Sequence, residues 1–521
     1  MFLAAVCVAR RLIQVGNPAC PIVPKGHRAE RIEHSEVRVH RTSPRRLCQP
    51  RIWIVASVVL WLQLAMTALA QVPIPTLEGP VAGGAGTPTI ISTTFDPAQI
   101  GYTEEEFFTS GTATAYTSAD PLGTDGTWTA TPASTAAYKT RIVVYRPTAG
   151  TKFKGTVVVE WLNVTGSSGR ATEWINVHTE MVREGMAWVG VSAQVAGVEG
   201  STGIKAQDPA RYGSLVHPGD SFSYDIFSQA GQAIRSPAGA SPLGTLKVKR
   251  LLAGGHSQSA DRLTTYINAI DPLARVYDGF LVHSRSGVPP ALSQPPQAAI
   301  PAPVGTLIRS DVRVPVLAFE TETDLIYLVY FLARQPDSEH FHLWEVAGTS
   351  HFDAYAALVG LGDLGTDPAV AELVVTPLYC DTPINSGPSH FVVNAAYAAL
   401  NRWVRRGKPP AEAPRLEVTA GPPPAITRDA NGNAVGGIRT PQVDVPIAAL
   451  SGLGQTGPDF CSLDGTVAPF DASTLSSLYP DHHAYVSAFT KATRKATRAR
   501  YIRRRDAKLM KSNARASNIG S

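Results

Sequence analysis

Residues 248–270 read VKRLLAGGHSQSADRLTTYINAI, and the fold turns on how this stretch is parsed. The run from Val248 to Gly255 is apolar and strand-like, whereas from Ala260 to Ile270 the apolar residues fall at helical spacing. Between them stands Gly255-His256-Ser257-Gln258-Ser259. A strand, a sharp turn and a helix in this order lift the central serine to the tip of the turn, with its Oγ exposed. The same turn presses the backbone at 255 against that at 259, so both ends need small residues, and serine at 259 replaces the usual glycine. The Gln258 N–H then points to where a negative oxygen would form above Ser257. A plain Ser/Gly turn also fits these five residues, so the flanking segments have to decide.

Working outward, apolar β-branched runs alternate with helical ones. The strands are GTVVVEW (155–161), MAWVGVSAQ (186–194), VYDGFLVHS (276–284), VPVLAFET (314–321) and FHLWEVAG (341–348). Helical segments at 171–185, 223–234 and 391–408 lie among or after them, the last ending before Pro409-Pro410. Buried strands separated by helices predict a mostly parallel central sheet with helices on both faces. Residues 71–140 are rich in Gly, Thr, Ser and Pro and read as an N-terminal antiparallel β extension. The chain is therefore divided into an N-terminal extension (1–70), the β extension (71–140), the main α/β domain with insertions (141–490) and a basic helical tail (491–521).

Two further strand ends complete a site. VPVLAFET is followed by Glu322-Thr323-Asp324, and HLWEVAG by Thr349-Ser350-His351. The order serine, acid, histidine is that of the α/β-hydrolase fold. The chemistry needs all three: a hydroxyl attacks poorly until an imidazole takes its proton, and the imidazole needs a carboxylate to fix its tautomer. Asp324 is the first choice of acid, by its place in the turn, and Glu322 the alternative. A second oxyanion donor is expected from the loop after GTVVVEW, at the backbone N–H of Leu162 or Asn163. Asn163-Val164-Thr165 is also a glycosylation sequon, discounted because it would face a cleft. His217, Asp220 and Tyr224, just before the helix that leads to the nucleophile strand, are candidate substrate contacts or a structural loop. Arg285 and Arg334 are candidates for a carboxylate, with a salt bridge as the commoner role. His340-x-His342 and His482-His483 lack a third metal ligand at suitable spacing, and there is no phosphate-binding loop, so no metal and no cofactor are expected.

The formal net charge of +5 hides an uneven distribution. Residues 1–70 hold ten Lys and Arg against three Glu, and residues 491–515 hold eleven against Asp506 alone, so the body between is acidic. A nucleic-acid partner is not expected of an acidic body. Residues 52–70 are apolar and uncharged, follow Arg45, Arg46 and Arg51, and end in Ala68-Leu69-Ala70. This is a secretion signal with an unusually long leader, explained by a true start near Leu47 or by an uncleaved membrane anchor. The expected location is secreted or periplasmic, with membrane attachment only through such an anchor. After cleavage Cys380 and Cys461 remain, a pair expected to form a disulfide in an oxidising compartment and to stabilise the fold by about 4 kcal/mol.

Several long strings resemble a bacterial family of exported alpha/beta hydrolase domain-containing proteins. They include VVVEWLNVTG (157–166), RYGSLVHPGDSFSYDIFSQAG (211–231), GGHSQSADRLTTYINAIDP (254–272), PVLAFETETD (315–324) and ARQPDSEHFHLWEVAGTSH (333–351), within a resemblance from Pro73 to Asn513. The resemblance implies Ser257 as nucleophile and His351 as base, and leaves Glu322 and Asp324 open as the acid. The tail from Lys491 to Arg515 is more basic than the family pattern. The expected function is hydrolysis of a small-molecule or polymer-derived carboxylic ester through an acyl-enzyme. The alternatives are an amidase or acyltransferase with the same triad, or an exported binding protein on an inactive scaffold.

Overall fold

The computed structural model describes residues 71–166, 169–366, 376–377, 380–421, 423–458 and 460–521. The expected signal segment at 52–70, and the leader before it, lie outside the described residues.

Ten strands form one sheet in the order β10-β9-β8-β7-β4-β5-β3-β2-β1-β6. They are β1 (Thr76–Glu78), β2 (Tyr102–Thr117), β3 (Thr131–Pro147), β4 (Thr156–Trp161), β5 (Ala187–Val191), β6 (Ala238–Gly239), β7 (Arg250–His256), β8 (Gly279–His283), β9 (Val316–Glu320) and β10 (Phe341–Glu345). Strands β5, β4 and β7 to β10 run parallel, whereas β3 joins β5 antiparallel through Ile142 to Tyr145. The antiparallel strands expected before residue 140 do form, but β3 runs straight through that position into the central sheet. The N-terminal strands thus extend the sheet rather than adding a layer to it.

Helices around this sheet or leading from it include α1 (Thr172–Glu184), α2 (Ser223–Arg235), α3 (Gln258–Thr265), α4 (Glu322–Ile326), α5 (Ser389–Arg406), α6 (His482–Arg498) and α7 (Arg504–Ala516). Alternation along the strands shows why both faces are covered. Val157, Val159, Leu251 and Ala253 join one apolar cluster with Tyr224, Phe227 and Ala230 of α2 and Leu263 of α3. Val158, Leu252, Leu281 and Leu317 point the other way and join Trp174 and Val177 of α1 and Val393, Leu400 and Trp403 of α5. A strand apolar at every position is buried on both sides, which is the signature of a parallel sheet between helical layers.

After β10 the chain adds irregular structure and two small antiparallel pairs. Cys380 and Cys461 are disulfide-bonded across 81 residues. Helices α6 and α7 share a small apolar cluster, including Tyr485, Phe489, Ile502 and Met510. Among the described residues, no helix is long and apolar enough to cross a membrane.

Candidate active site

Strand β7 ends at His256, and α3 begins at Gln258, so the whole reversal falls on one residue. Ser257 takes φ 62° and ψ −127°, a backbone region that a residue with a Cβ enters only under strain. Its N–H donates to the His283 carbonyl at 2.9 Å, and its own carbonyl accepts from Asp261 N–H at 3.0 Å. Gly255 has no room for a side chain: a Cβ there would lie 2.9 Å from the Ser259 carbonyl carbon. Serine at 259 is tolerated because its fully buried side chain fits beside that bare glycine.

Two other strand ends converge on the serine. His351 Nε2 lies 2.8 Å from Ser257 Oγ, and its Nδ1 lies 2.6 Å from Asp324 Oδ1. Asp324 sits in the first turn of α4, where its other oxygen accepts from the Thr321 N–H and hydroxyl, each at 2.7 Å. Thr323 Oγ1 accepts from His351 N–H at 3.2 Å, fixing the histidine loop to the same turn. The serine and histidine are each 6% exposed, and Asp324 is wholly buried, so charge in this row is little screened by water.

Glu322 is only two residues from Asp324 yet faces elsewhere. Its carboxylate accepts from Gly348 N–H at 2.7 Å and Gly452 N–H at 3.0 Å and pairs with Arg428 at 2.7 Å. It ties the C-terminal additions to the β9 and β10 ends.

The loop after β4 departs from expectation. Leu162 N–H is spent on the Val191 carbonyl (3.2 Å) and Asn163 N–H on the Arg170 carbonyl (3.1 Å), so neither is free to meet an oxyanion. Pairing with β5 continues one residue past the strand and consumes the Leu162 donor, and an isolated antiparallel bridge to Arg170 consumes that of Asn163. The next donor, Val164 N–H, makes only a long bond of 3.5 Å to the Gln258 side-chain oxygen, which places it beside the elbow. Asn163 instead holds the loop in place, its amide donating to the His256 carbonyl at 3.1 Å and accepting from Thr165 N–H at 2.8 Å. Gln258 N–H, the first in α3, has no intrahelical acceptor.

His217, Asp220 and Tyr224 make the contacts of a structural loop. The Tyr224 hydroxyl donates to the Ala291 carbonyl at 3.1 Å and the residue is fully buried. His217 bonds the Ala193 carbonyl through Nε2 (2.9 Å) and accepts from Gly219 N–H through Nδ1. Asp220 accepts from Val195 N–H and pairs with Arg262 of α3 at 2.8 Å. These residues brace the helix behind the nucleophile, and internal partners occupy their polar atoms. Arg334 likewise grips Glu345 with two bonds of 2.7 Å, and Arg285 is fully buried against the Tyr330 ring.

A second row of buried groups was not anticipated. His256 Nε2 donates to the His351 carbonyl at 3.0 Å, its ring lies 4.6 Å from that of His283, and His283 Nδ1 donates to Glu173 Oε1 at 3.1 Å. Burial, then His283 and His351, hold the His256 imidazole well below its ordinary range, so the ring is neutral. His256 lies inside the Gly255–Ser259 motif, next to Ser257. Asp261, four residues past the serine, is pushed up to about 7 by burial.

Residues 77–512 match the family described as "Alpha/beta hydrolase domain". No curated protein matches the chain. Among solved structures, one of two fungal esterases from Rhizomucor miehei is similar at 12% identity, with 57% of this chain and 85% of that one covered and a TM-score of 0.29. Est1E from Butyrivibrio proteoclasticus is similar at 11% identity, covering 45% and 88%, with a TM-score of 0.26. An α/β serine hydrolase without a lid from Xanthomonas campestris gives 14% identity, 45% and 83% coverage and a TM-score of 0.24.

Proposed function

Since the chain belongs to the alpha/beta hydrolase domain family, we propose that it is a serine hydrolase acting on carboxylic esters, with Ser257, His351 and Asp324 as its triad. The observation that carries this reading is the row Ser257 Oγ, His351 Nε2, His351 Nδ1 and Asp324 Oδ1, hydrogen-bonded at 2.8 Å and 2.6 Å at a strained strand-to-helix turn.

In this reading His351 Nε2 takes the hydroxyl proton as Ser257 Oγ bonds to the ester carbonyl carbon. Asp324 holds the proton on Nδ1 and stabilises the imidazolium. The carbonyl oxygen, now negative, is met by the N–H groups of Gln258 and Val164. The ester C–O bond breaks, and the leaving alkoxide takes the proton from Nε2, which frees the alcohol and leaves an acyl-serine. Water then gives its proton to Nε2 and attacks the acyl carbon; the Ser257 oxygen leaves with that proton and the acid departs.

Export is part of the proposal. The apolar segment at 52–70 supports it, and so does the Cys380–Cys461 disulfide, since such bonds persist in oxidising compartments. The test is p-nitrophenyl ester hydrolysis and fluorophosphonate labelling by wild type and Ser257→Ala. The variant is expected to lose about 10⁶-fold in kcat and all labelling. Equal rates would overturn the triad, and labelling without ester turnover would point to amide or acyl-transfer chemistry.

A further inference from the structure

Basic side chains crowd one end of the molecule and far outnumber the acids among them. Arg402 of α5, Arg494 and Arg498 of α6, Arg500 in the following turn, and Arg504 and Lys511 of α7 line one cleft of about 890 Å³. The two acids that line it are already taken, Glu180 and Glu184 both pairing with Arg503 at 2.6 Å, and Asp506 nearby pairs with Arg183. Among the described residues, no ion pair reaches the six cations.

Such crowding is costly. Arg402 is held below its ordinary range, by burial first and then by Arg500, Arg503 and Arg406. Arg494 and Arg498 are one helical turn apart, so they share a face. Arg500 takes φ 68°, a left-handed turn position that glycine fills at no steric cost, yet a long exposed cation stands there.

The cleft is also remote from the triad. Helix α1 begins beside Glu160 of β4 and the Glu173–His283 pair, at the strand ends that carry Ser257. It ends at the opposite edge of the sheet, where the Gly185 carbonyl accepts from Lys154 N–H just before β4. Glu180 and Glu184 come from its last turns, and Arg402 from the end of α5 that packs at the start of β8.

We propose that this cleft binds an anion carrying several phosphate groups. A phosphate brings up to two charges in the volume of one group and matches the guanidinium fork with paired hydrogen bonds. Carboxylates bring one charge each and neutralise six gathered cations less compactly. The phosphates come from a soluble polyphosphorylated molecule or from phospholipid headgroups, and the binding does not involve Ser257.

The test uses the full chain with three probes: inorganic tripolyphosphate, vesicles of phosphatidylglycerol in phosphatidylcholine, and polygalacturonate as a carboxylate polymer. Tripolyphosphate is expected to bind, more weakly as salt rises, and at least tenfold more weakly to Arg498→Gln/Arg504→Gln. Vesicle binding that needs phosphatidylglycerol and is lost in the same variant supports the site and assigns the phosphates to lipid. Arg500→Gly guards against misfolding: it relieves the backbone, so its Tm is expected to hold or rise while binding falls. Both variants are expected to hydrolyse p-nitrophenyl esters at the wild-type rate. Binding equal in wild type and variants overturns the proposal, as does polygalacturonate binding as tightly as tripolyphosphate or failure of both phosphate probes to bind.

Discussion

At Ser257 the backbone holds a conformation that costs a non-glycine residue about 1–3 kcal/mol, repaid by the bonds that pin it to His283 and Asp261. The same residue-by-residue logic separates two carboxylates that spacing alone left open. Asp324→Asn keeps the shape but removes the charge that fixes the His351 tautomer, so kcat is expected to fall by about 10⁴-fold with little change in Tm. Glu322→Gln breaks the Arg428 pair and weakens two backbone bonds, so stability is expected to fall by about 1–3 kcal/mol while kcat stays within tenfold. Steady-state kinetics and denaturant melts on both variants decide it; a Glu322 variant with the larger loss of kcat would reverse the assignment. That Ser257 and His351 meet was legible because a strongly patterned strand, β7 or β10, leads into the turn or loop that carries each. The partners of the Leu162 and Asn163 N–H groups are not legible, because sequence shows neither how far pairing with β5 runs past a strand end nor that the loop folds back to bridge Arg170.

Among the elements, α1 shows how a strand can build a helix start. Its N-cap residue, Ala171, offers no side-chain acceptor, and Glu160 of β4 fills the role from across the layer. The Glu160 carboxylate accepts from the N–H groups of Glu173 (2.9 Å) and Trp174 (3.1 Å) and from the Trp188 indole (2.8 Å). A buried donor left without a partner costs about 1–3 kcal/mol, and Glu160→Ala strands three, so a loss of at least about 3 kcal/mol is expected in urea melts. A loss below about 1 kcal/mol would mean that water or a shifted helix replaces the carboxylate. Because α1 also carries Glu173 to His283, kcat is expected to fall in the folded fraction as well. The strands themselves were legible from their unbroken apolar runs. The cap was not, because its acceptor and donors come from separate elements that only packing unites.

For the molecule as a whole, charge is the property that sequence reported most clearly and located least well. The excess of cations after Lys491 was plain, but only folding of α6 and α7 against α1 and α5 gathers it into a cleft. Buried titratable groups raise the same question of placement, and they give stability a pH dependence. Burial lifts Asp261 and Glu180 to about 7 and Asp353 to about 6, whereas burial lowers His390 to about 3. A carboxyl raised in the folded state keeps its proton where the unfolded chain has lost it. Its contribution is therefore whole below about pH 4 and is lost as pH rises through the folded value. His390 works in the other direction: its contribution is present above about pH 6.5 and is lost as pH falls toward 3. Between pH 4 and 7 three groups lose stability with rising pH and one gains it, so together they favour the acid side. Asp261→Asn/Asp353→Asn keeps the acceptors for Ser286 and Ala356 N–H but removes two of the three titrations. Thermal melts from pH 4.5 to 8 are expected to show the variant gaining on wild type as pH rises, with the gap levelling off above pH 7. A gap that stays constant with pH would mean that these two carboxyls ionise as freely in the folded protein as in the unfolded chain.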